Sequence, residues 1–213
     1  PWANKANAIV QTWFAGQEFG NALVDILSGE INPSGKLPTT FPIKIEDTPA
    51  YPFYPGTDLQ MNYHEKLLVG YRWYEKKSIK PLFCFGHGLS YTNFKYQNLE
   101  VSVDKDFVVS CRFEVQNIGN ILGQETAQCY VGYANPLNDE PCKTLQGFVK
   151  AEITANEVKN FEIELGPRNF SHWSIEANAW QIKGGAYKIL IGSSSEDIYL
   201  ETTINLEQVL EVL

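Results

Sequence analysis

The sequence predicts a strand–helix fragment of an α/β domain followed by an all-β antiparallel sandwich. One observation is a compact apolar run joined to a helix-period apolar face within residues 8–28, a unit that occurs once and is not repeated. A second is the period-2 alternation of apolar and polar residues from about residue 98 onward, cut by turn signals. Composition allows both: 44% of the 213 residues are hydrophobic and 13% aromatic, enough material for a packed core and unlike a disordered chain.

Residues 8–14 (Ala-Ile-Val-Gln-Thr-Trp-Phe) are mostly apolar and rich in strand formers, and are expected to form a buried strand. Ala15-Gly16 breaks the run. Phe19, Leu23, Ile26 and Leu27 then recur at i, i+4, i+7 and i+8, one face of a helix, and Gly29 is placed to end it in the left-handed region. A buried parallel strand needs neighbours and covering helices, yet Asn32-Pro33-Ser34-Gly35 is a turn and Leu37-Pro38 and Phe41-Pro42 are too proline-rich for a central strand. The sheet is therefore expected to be incomplete here, its other strands lying upstream of Pro1. Residues 43–62 read as loop, and Leu67 to Tyr74 as a strand. Leu82-Phe83-Cys84-Phe85 runs into a Gly86-His87-Gly88 turn.

In the second half the alternating sets are Leu99, Val101, Val103; Val109, Cys111, Phe113, Val115; Ala127, Cys129, Val131; Phe161, Ile163, Leu165; and Tyr187, Ile189, Ile191. Asn117-Ile118-Gly119-Asn120, Asn135-Pro136, Gly166-Pro167 and Gly184-Gly185 separate them. Period-2 strands at such spacing define an antiparallel sandwich.

Several functions are excluded. The formal net charge is −8, and the longest basic cluster, Lys76-Lys77 with Lys80, is a short solvated turn, so neither nucleic acid nor an anionic membrane is an expected partner. No 18-residue apolar run exists. Pro1-Trp2-Ala3-Asn4-Lys5 is neither a signal peptide nor an initiator, so the chain is expected to begin inside a longer protein. Cys84, Cys111, Cys129 and Cys142 show no CxxC spacing. With His64, His87 and His172 they make no zinc pattern, and no metal or cofactor is expected. Cys111 and Cys129 share inward parity and are read as buried thiols, their disulfide state left open. The sequon Asn169-Phe170-Ser171 matters only in a secreted eukaryotic protein. There is no dinucleotide fingerprint, Walker loop or G-x-S-x-G elbow.

Three stretches carry a resemblance. Trp13-Phe14-Ala15-Gly16-Gln17-Glu18-Phe19-Gly20 continues through Gly29-Glu30-Ile31-Asn32-Pro33-Ser34-Gly35-Lys36-Leu37-Pro38 to Thr40-Phe41-Pro42. Tyr63-His64-Glu65 precedes Val69-Gly70-Tyr71-Arg72-Trp73-Tyr74. Phe85-Gly86-His87-Gly88-Leu89-Ser90-Tyr91-Thr92-Asn93-Phe94 follows. In that order they resemble the C-terminal region of family 3 β-glucosidases. The sandwich is similar to that family's immunoglobulin-like, fibronectin type III-like domain through Asn117-Ile118-Gly119, Leu145-Gln146-Gly147-Phe148, Gly185-Ala186-Tyr187 and Gly192-Ser193-Ser194. Cys84 departs from the pattern where proline is expected, as does Lys66 where glycine is usual.

The resemblance implies a retaining, exo-acting β-glucosidase, whose two carboxyl groups must stand about 5–5.5 Å apart across the scissile bond. It places the nucleophilic aspartate in an N-terminal barrel and the acid/base glutamate upstream of the segment matching Trp13–Pro42. No catalytic, cofactor or metal residue is therefore assigned within the chain, which is expected to be inactive alone. It implies residues 1–62 as the end of an α/β-sandwich domain, 63–96 as a linker or interface segment, and 97–213 as the fibronectin type III-like sandwich. The missing barrel and α/β portion would be its partner, a β-glucoside the substrate of the whole; a homo-oligomer stays open.

Candidates within the chain have plainer readings. Glu18 could accept a sugar hydroxyl, but a first-turn glutamate facing the helix dipole is preferred. Asp25 is read as surface. Tyr63, Glu65 and Arg72 could line a barrel-facing cluster; a Glu65–Arg72 ion pair fixing the linker is preferred. His87 is read as a turn histidine bonding its own backbone. Among Trp2, Trp13, Trp73, Trp173 and Trp180 most must be core or interface, with His172-Trp173 the pair to inspect for exposure. The rival readings are a carbohydrate-binding or oligomer-stabilising sandwich, which would need aromatics in line on one face, and a stand-alone non-enzymatic protein, which would leave strand 8–14 exposed.

Overall fold

The computed structural model describes residues 3–58 and 60–209. Trp2, among the tryptophans weighed above, lies outside them. Nine strands follow two short helices: α1 (Phe19–Ser28), α2 (Tyr71–Lys76), β1 (Phe94–Val103), β2 (Val109–Asn117), β3 (Gly123–Tyr133), β4 (Thr144–Ile153), β5 (Val158–Leu165), β6 (Ser171–Ser174), β7 (Ala179–Ile182), β8 (Gly185–Gly192) and β9 (Ile198–Leu206). No helix among the described residues is long and apolar enough to cross a membrane.

The sandwich forms as the alternation requires. One antiparallel sheet has the order β1-β2-β5, the other β4-β3-β8-β9, and β6-β7 is a separate hairpin. Inward residues of both sheets make one core: Val109, Cys111, Phe113 and Val115 from β2 meet Ala127, Cys129 and Val131 from β3 and Ile189 and Ile191 from β8. Tyr96, Phe113 and Phe161 stack in series within the first sheet, with centroids 6.2 and 5.6 Å apart. Cys111 and Cys129 are both fully buried and free, as their parity implied. The hydrogen bond with Cys111, together with burial, pushes the Cys129 thiol far above its ordinary value. β4, the β6-β7 hairpin and β9 were not named from the sequence, although β9 alternates throughout.

The first half differs from expectation in two places. Residues 8–14 form no strand and belong to no sheet among the described residues; Trp13 takes φ 52°, and Ile9, Val10, Trp13 and Phe14 are exposed. A strand is stable only when a ladder partner takes its N–H and C=O groups, and the described residues supply none. Residues 67–74 are not a strand. Gly70 takes φ 59°, ψ −135°, a combination that favours glycine, and α2 starts immediately after it. Tyr71 packs on Tyr130 of the sandwich and Tyr74 is buried, so packing overrides the strand preference of the aromatic run. Helix α1 does form and closes on a left-handed Gly29, yet none of its residues is buried.

The connection between β2 and β3 is held by one buried amide. Asn117 accepts from the Thr92 hydroxyl (2.6 Å) and the Gly119 N–H (3.0 Å), and donates to the Ile121 and Ile153 carbonyls (2.8 and 3.0 Å). Alanine at this position would strand buried partners on three segments. Asn117→Ala is expected to cost more than about 2 kcal/mol in urea unfolding, the penalty of unpaired buried groups; a loss under about 0.5 kcal/mol, typical of an exposed site, would contradict it.

Candidate functional site

Among the described residues, the sandwich meets the first ninety residues along a seam. Strand β3 is the reason. Residues 127–132 are buried without a break, so both faces of the strand are covered. The inner face meets the core. The outer face carries Gln128 and Tyr130 and is covered by the segment between α2 and β1. Tyr71 packs edge-on to Tyr130 at 5.8 Å and stacks on Phe85 at 4.9 Å, and its hydroxyl accepts the Leu145 N–H at 2.8 Å. The Gln128 amide donates to the Ser193 carbonyl at 2.7 Å, and the Ser195 N–H to the Phe85 carbonyl at 2.9 Å. Burial, followed by the nearby phenol of Tyr71, pushes the Tyr130 hydroxyl well above its usual range.

Two ion pairs cross the seam. Glu125, buried near the start of β3, takes a hydrogen bond from the Tyr96 hydroxyl at 2.8 Å and pairs with Lys36 at 3.4 Å. Burial first, then the Glu125 charge, pushes Tyr96 far up, so the phenol stays a donor. Lys143 pairs with Glu75 of α2 while its ammonium sits 5.9 Å from the Tyr130 ring centre. Asn32 joins the layers too: its amide donates to the Leu122 carbonyl (2.9 Å), and its oxygen accepts from Ser90 Oγ (2.9 Å) and the Tyr91 N–H (2.8 Å). At Gly88 even a methyl group would strike the Gly35 carbonyl oxygen, which is why the turn following Phe85 has no room for a side chain there.

The individually weighed residues fall as follows. Glu18 precedes α1 at the surface; its carboxylate does not cap the helix but accepts from Asn21 Nδ2 at 2.6 Å. Asp25 is half-buried, and its carbonyl receives the Ile31 N–H at 3.0 Å. The Glu65–Arg72 ion pair is not formed among the described residues. Tyr63 is exposed, and Arg72 Nε is buried without a hydrogen bond while its guanidinium lies 5.8 Å from the Tyr71 ring centre. The fixing pair is instead Glu75–Lys143, one turn further along α2 and invisible to sequence because its members are 68 residues apart. His87 does not bond its own backbone through the ring; the imidazole stacks on Phe83 at 5.3 Å, and only its N–H reaches the Cys84 carbonyl. Trp73 donates to the Asp47 carbonyl at 3.0 Å, Trp13 packs edge-on to Phe41, and Trp173 and Trp180 pair across the β6-β7 hairpin with Arg168 3.5 Å above Trp180.

Neither of two clefts among the described residues presents a pair of free carboxylates. A cleft of about 410 Å³ between α2 and the sandwich holds Glu75 and Glu196, but Glu75 is engaged by Lys143. A second, of about 450 Å³ beside residues 52–64, has Asp58 as its one acidic lining residue. Elsewhere in the first half Phe14, Val24, Leu27, Ile43 and Tyr54 are each more than half exposed.

Comparison with known proteins identifies both halves. Residues 1–91 match the glycosyl hydrolase family 3 C-terminal domain, and residues 125–195 the fibronectin type III-like domain. The chain belongs to glycosyl hydrolase family 3 and corresponds to its C-terminal region. It is 38% identical to thermostable β-glucosidase B of Acetivibrio thermocellus over all of this chain, and 40% identical to β-glucosidase B of Emericella nidulans over 97% of it. It spans only 28% and 26% of those two relatives. Among solved structures, a family 3 β-glucosidase of Bifidobacterium adolescentis superposes with a TM-score of 0.93 at 33% identity, over 98% of this chain and 31% of that one. The Kluyveromyces marxianus β-glucosidase in complex with glucose gives 0.92 at 36% identity, over 98% and 26%. In this family 3 chain the seam is thus a junction between two domains.

The Glu75–Lys143 pair tests that junction. The Lys143 side chain is 9% exposed and that of Glu75 32%. Breaking a fully buried pair costs about 3–5 kcal/mol, and partial exposure of Glu75 lowers the expectation for Glu75→Ala to about 2 kcal/mol. Glu75→Leu combined with Lys143→Met should recover at least half of the loss in a denaturation double-mutant cycle; additive losses would deny the coupling.

Proposed function

We propose that the chain is the C-terminal scaffold of a retaining, exo-acting β-glucosidase whose catalytic carboxylates lie upstream of it. Residues 1–62 close an α/β-sandwich domain, 63–96 form the interface segment, and 97–213 form the fibronectin type III-like sandwich. The observation that carries this reading is the contrast between the two halves. The sandwich buries its core and satisfies its polar groups, whereas α1 buries nothing and residues 8–14 find no ladder partner among the described residues. Apolar surface of that extent is stable in water only when another structure covers it. The upstream barrel and α/β portion of the same protein fit that need, and the β-glucosidases it resembles extend about three times further.

The chain's contribution is then positional. A double displacement needs one ionised carboxylate as nucleophile and one protonated carboxyl as acid, held within about 5–5.5 Å. Residues 13–42 would complete the domain that presents the acid/base group, and the seam would hold that domain against a rigid sandwich. A carbohydrate-binding platform is less well supported. The exposed sandwich aromatics Phe148, Trp173 and Tyr199 lie on β4, on the β6-β7 hairpin and on β9, so they form no line along a strand. β4 and β9 are opposite edges of one sheet.

The test compares two proteins. The 213-residue chain should give no turnover of an aryl β-glucoside above the blank, while the protein extended through its upstream domains should release glucose first as the β-anomer. Parent-like rates from the isolated chain, or an extended protein inert toward β-glucosides, would each overturn the assignment.

A further inference from the structure

We propose that Cys84, His87 and Asp197 form a binding site for one zinc ion that ties the interface segment to the β8–β9 turn of the sandwich. The Cys84 sulfur, a His87 ring nitrogen and an Asp197 carboxylate oxygen lie within 4.8 Å of one another. Two turns of unrelated segments create this convergence. The His87 N–H reaches the Cys84 carbonyl at 3.2 Å, which brings side chains three residues apart to the same side. Asp197 sits in the turn between β8 and β9, where the Ser193 N–H reaches its carbonyl at 3.0 Å.

The turns are locked to each other independently of any ion. The Ser195 N–H donates to the Phe85 carbonyl at 2.9 Å, between the two proposed ligands of the first turn. Ser194 Oγ lies 3.3 Å from the Cys84 sulfur, donates to Asp197 Oδ2 at 2.8 Å and accepts the Asp197 N–H at 2.9 Å. One hydroxyl therefore orients both the thiol and the carboxylate, the outer-sphere role that metal ligands require. His87 is oriented by stacking on Phe83, and its ring nitrogens have no hydrogen-bond partner among the described residues.

Thiolate, imidazole and carboxylate together suit zinc better than calcium or magnesium, which take oxygen ligands. Zinc bonds of about 2.0–2.3 Å place tetrahedral donors roughly 3.5 Å apart. The three donors must therefore draw in by up to about an ångström from their present separation, and Asp197, on the exposed turn, has the freedom to do so. Cys84 is buried and Asp197 exposed, so a water takes the fourth position from the solvent side. On binding, the Cys84 S–H bond is replaced by S–Zn and the proton leaves to solvent.

The experiment uses chelator-treated protein titrated with Zn²⁺ by calorimetry and with Co²⁺ by absorption. One ion per chain and a thiolate-to-cobalt charge-transfer band in the near ultraviolet are expected. Cys84→Ser should abolish the band, and His87→Gln and Asp197→Asn should weaken zinc by more than about tenfold, a loss that even outer-sphere partners can cause. Cys142→Ser should leave both intact. Should Cys84→Ser fail to fold, alkylation mapping of the unaltered chain decides: Zn²⁺ must slow modification of Cys84. No stoichiometric binding, a band that survives Cys84→Ser or vanishes in Cys142→Ser, or an unprotected Cys84 overturns the site.

Discussion

The burial of β3 on both faces is the constraint on which the arrangement depends. An antiparallel sandwich strand ordinarily shows one face to water, but residues 127–132 have no exposed position. The strand is not apolar throughout: Gln128 is buried on the outer face, and Glu125, at the same parity as Ala127 and Cys129, is buried two positions before the continuous stretch begins. Such groups are tolerated only when paired, and their partners come from Lys36, Tyr96 and the turn around Ser193. Of these partners Lys36 comes from the first ninety residues, which also supply the Tyr71 ring against Tyr130.

The junction is polar and close, not oily. Asn32, Glu75, Lys143 and Ser195 make directional bonds across it, and Gly88 lets two backbones approach. Directional contacts of this kind set an orientation more sharply than apolar contact does, and an orientation is what a multidomain hydrolase needs from a scaffold. A zinc ion at Cys84, His87 and Asp197 would act at the same junction. Elsewhere in the first half, Phe14, Val24 and Leu27 leave hydrophobic area in contact with water.

Legibility in the sequence followed the range of the interactions. The Val109–Val115 and Tyr187–Ile191 alternations identified strands because strand periodicity is local and one face of each is core. The Phe19–Leu27 face and Gly29 identified α1 for the same reason. Tyr71–Tyr74 misled, since an aromatic run favours a strand locally while the contact with Tyr130 that selects a helix is remote. The expected Glu65–Arg72 pair does not form among the described residues; the bonded partners are Glu75 and Lys143, which no local spacing connects.

The sequence by itself determined that a half-buried sandwich follows an incomplete strand–helix unit, and its motif order was enough to indicate the family. Tertiary structure alone decided which charges meet, that 67–74 does not form a strand, and that Cys84, His87 and Asp197 come together. The physical reason is separation along the chain. Periodicity records how each segment divides itself between core and water, but not which distant segment will cover it. Partnerships spanning 68 to 113 residues exist only once the two sheets have closed and the β3 face has been occupied.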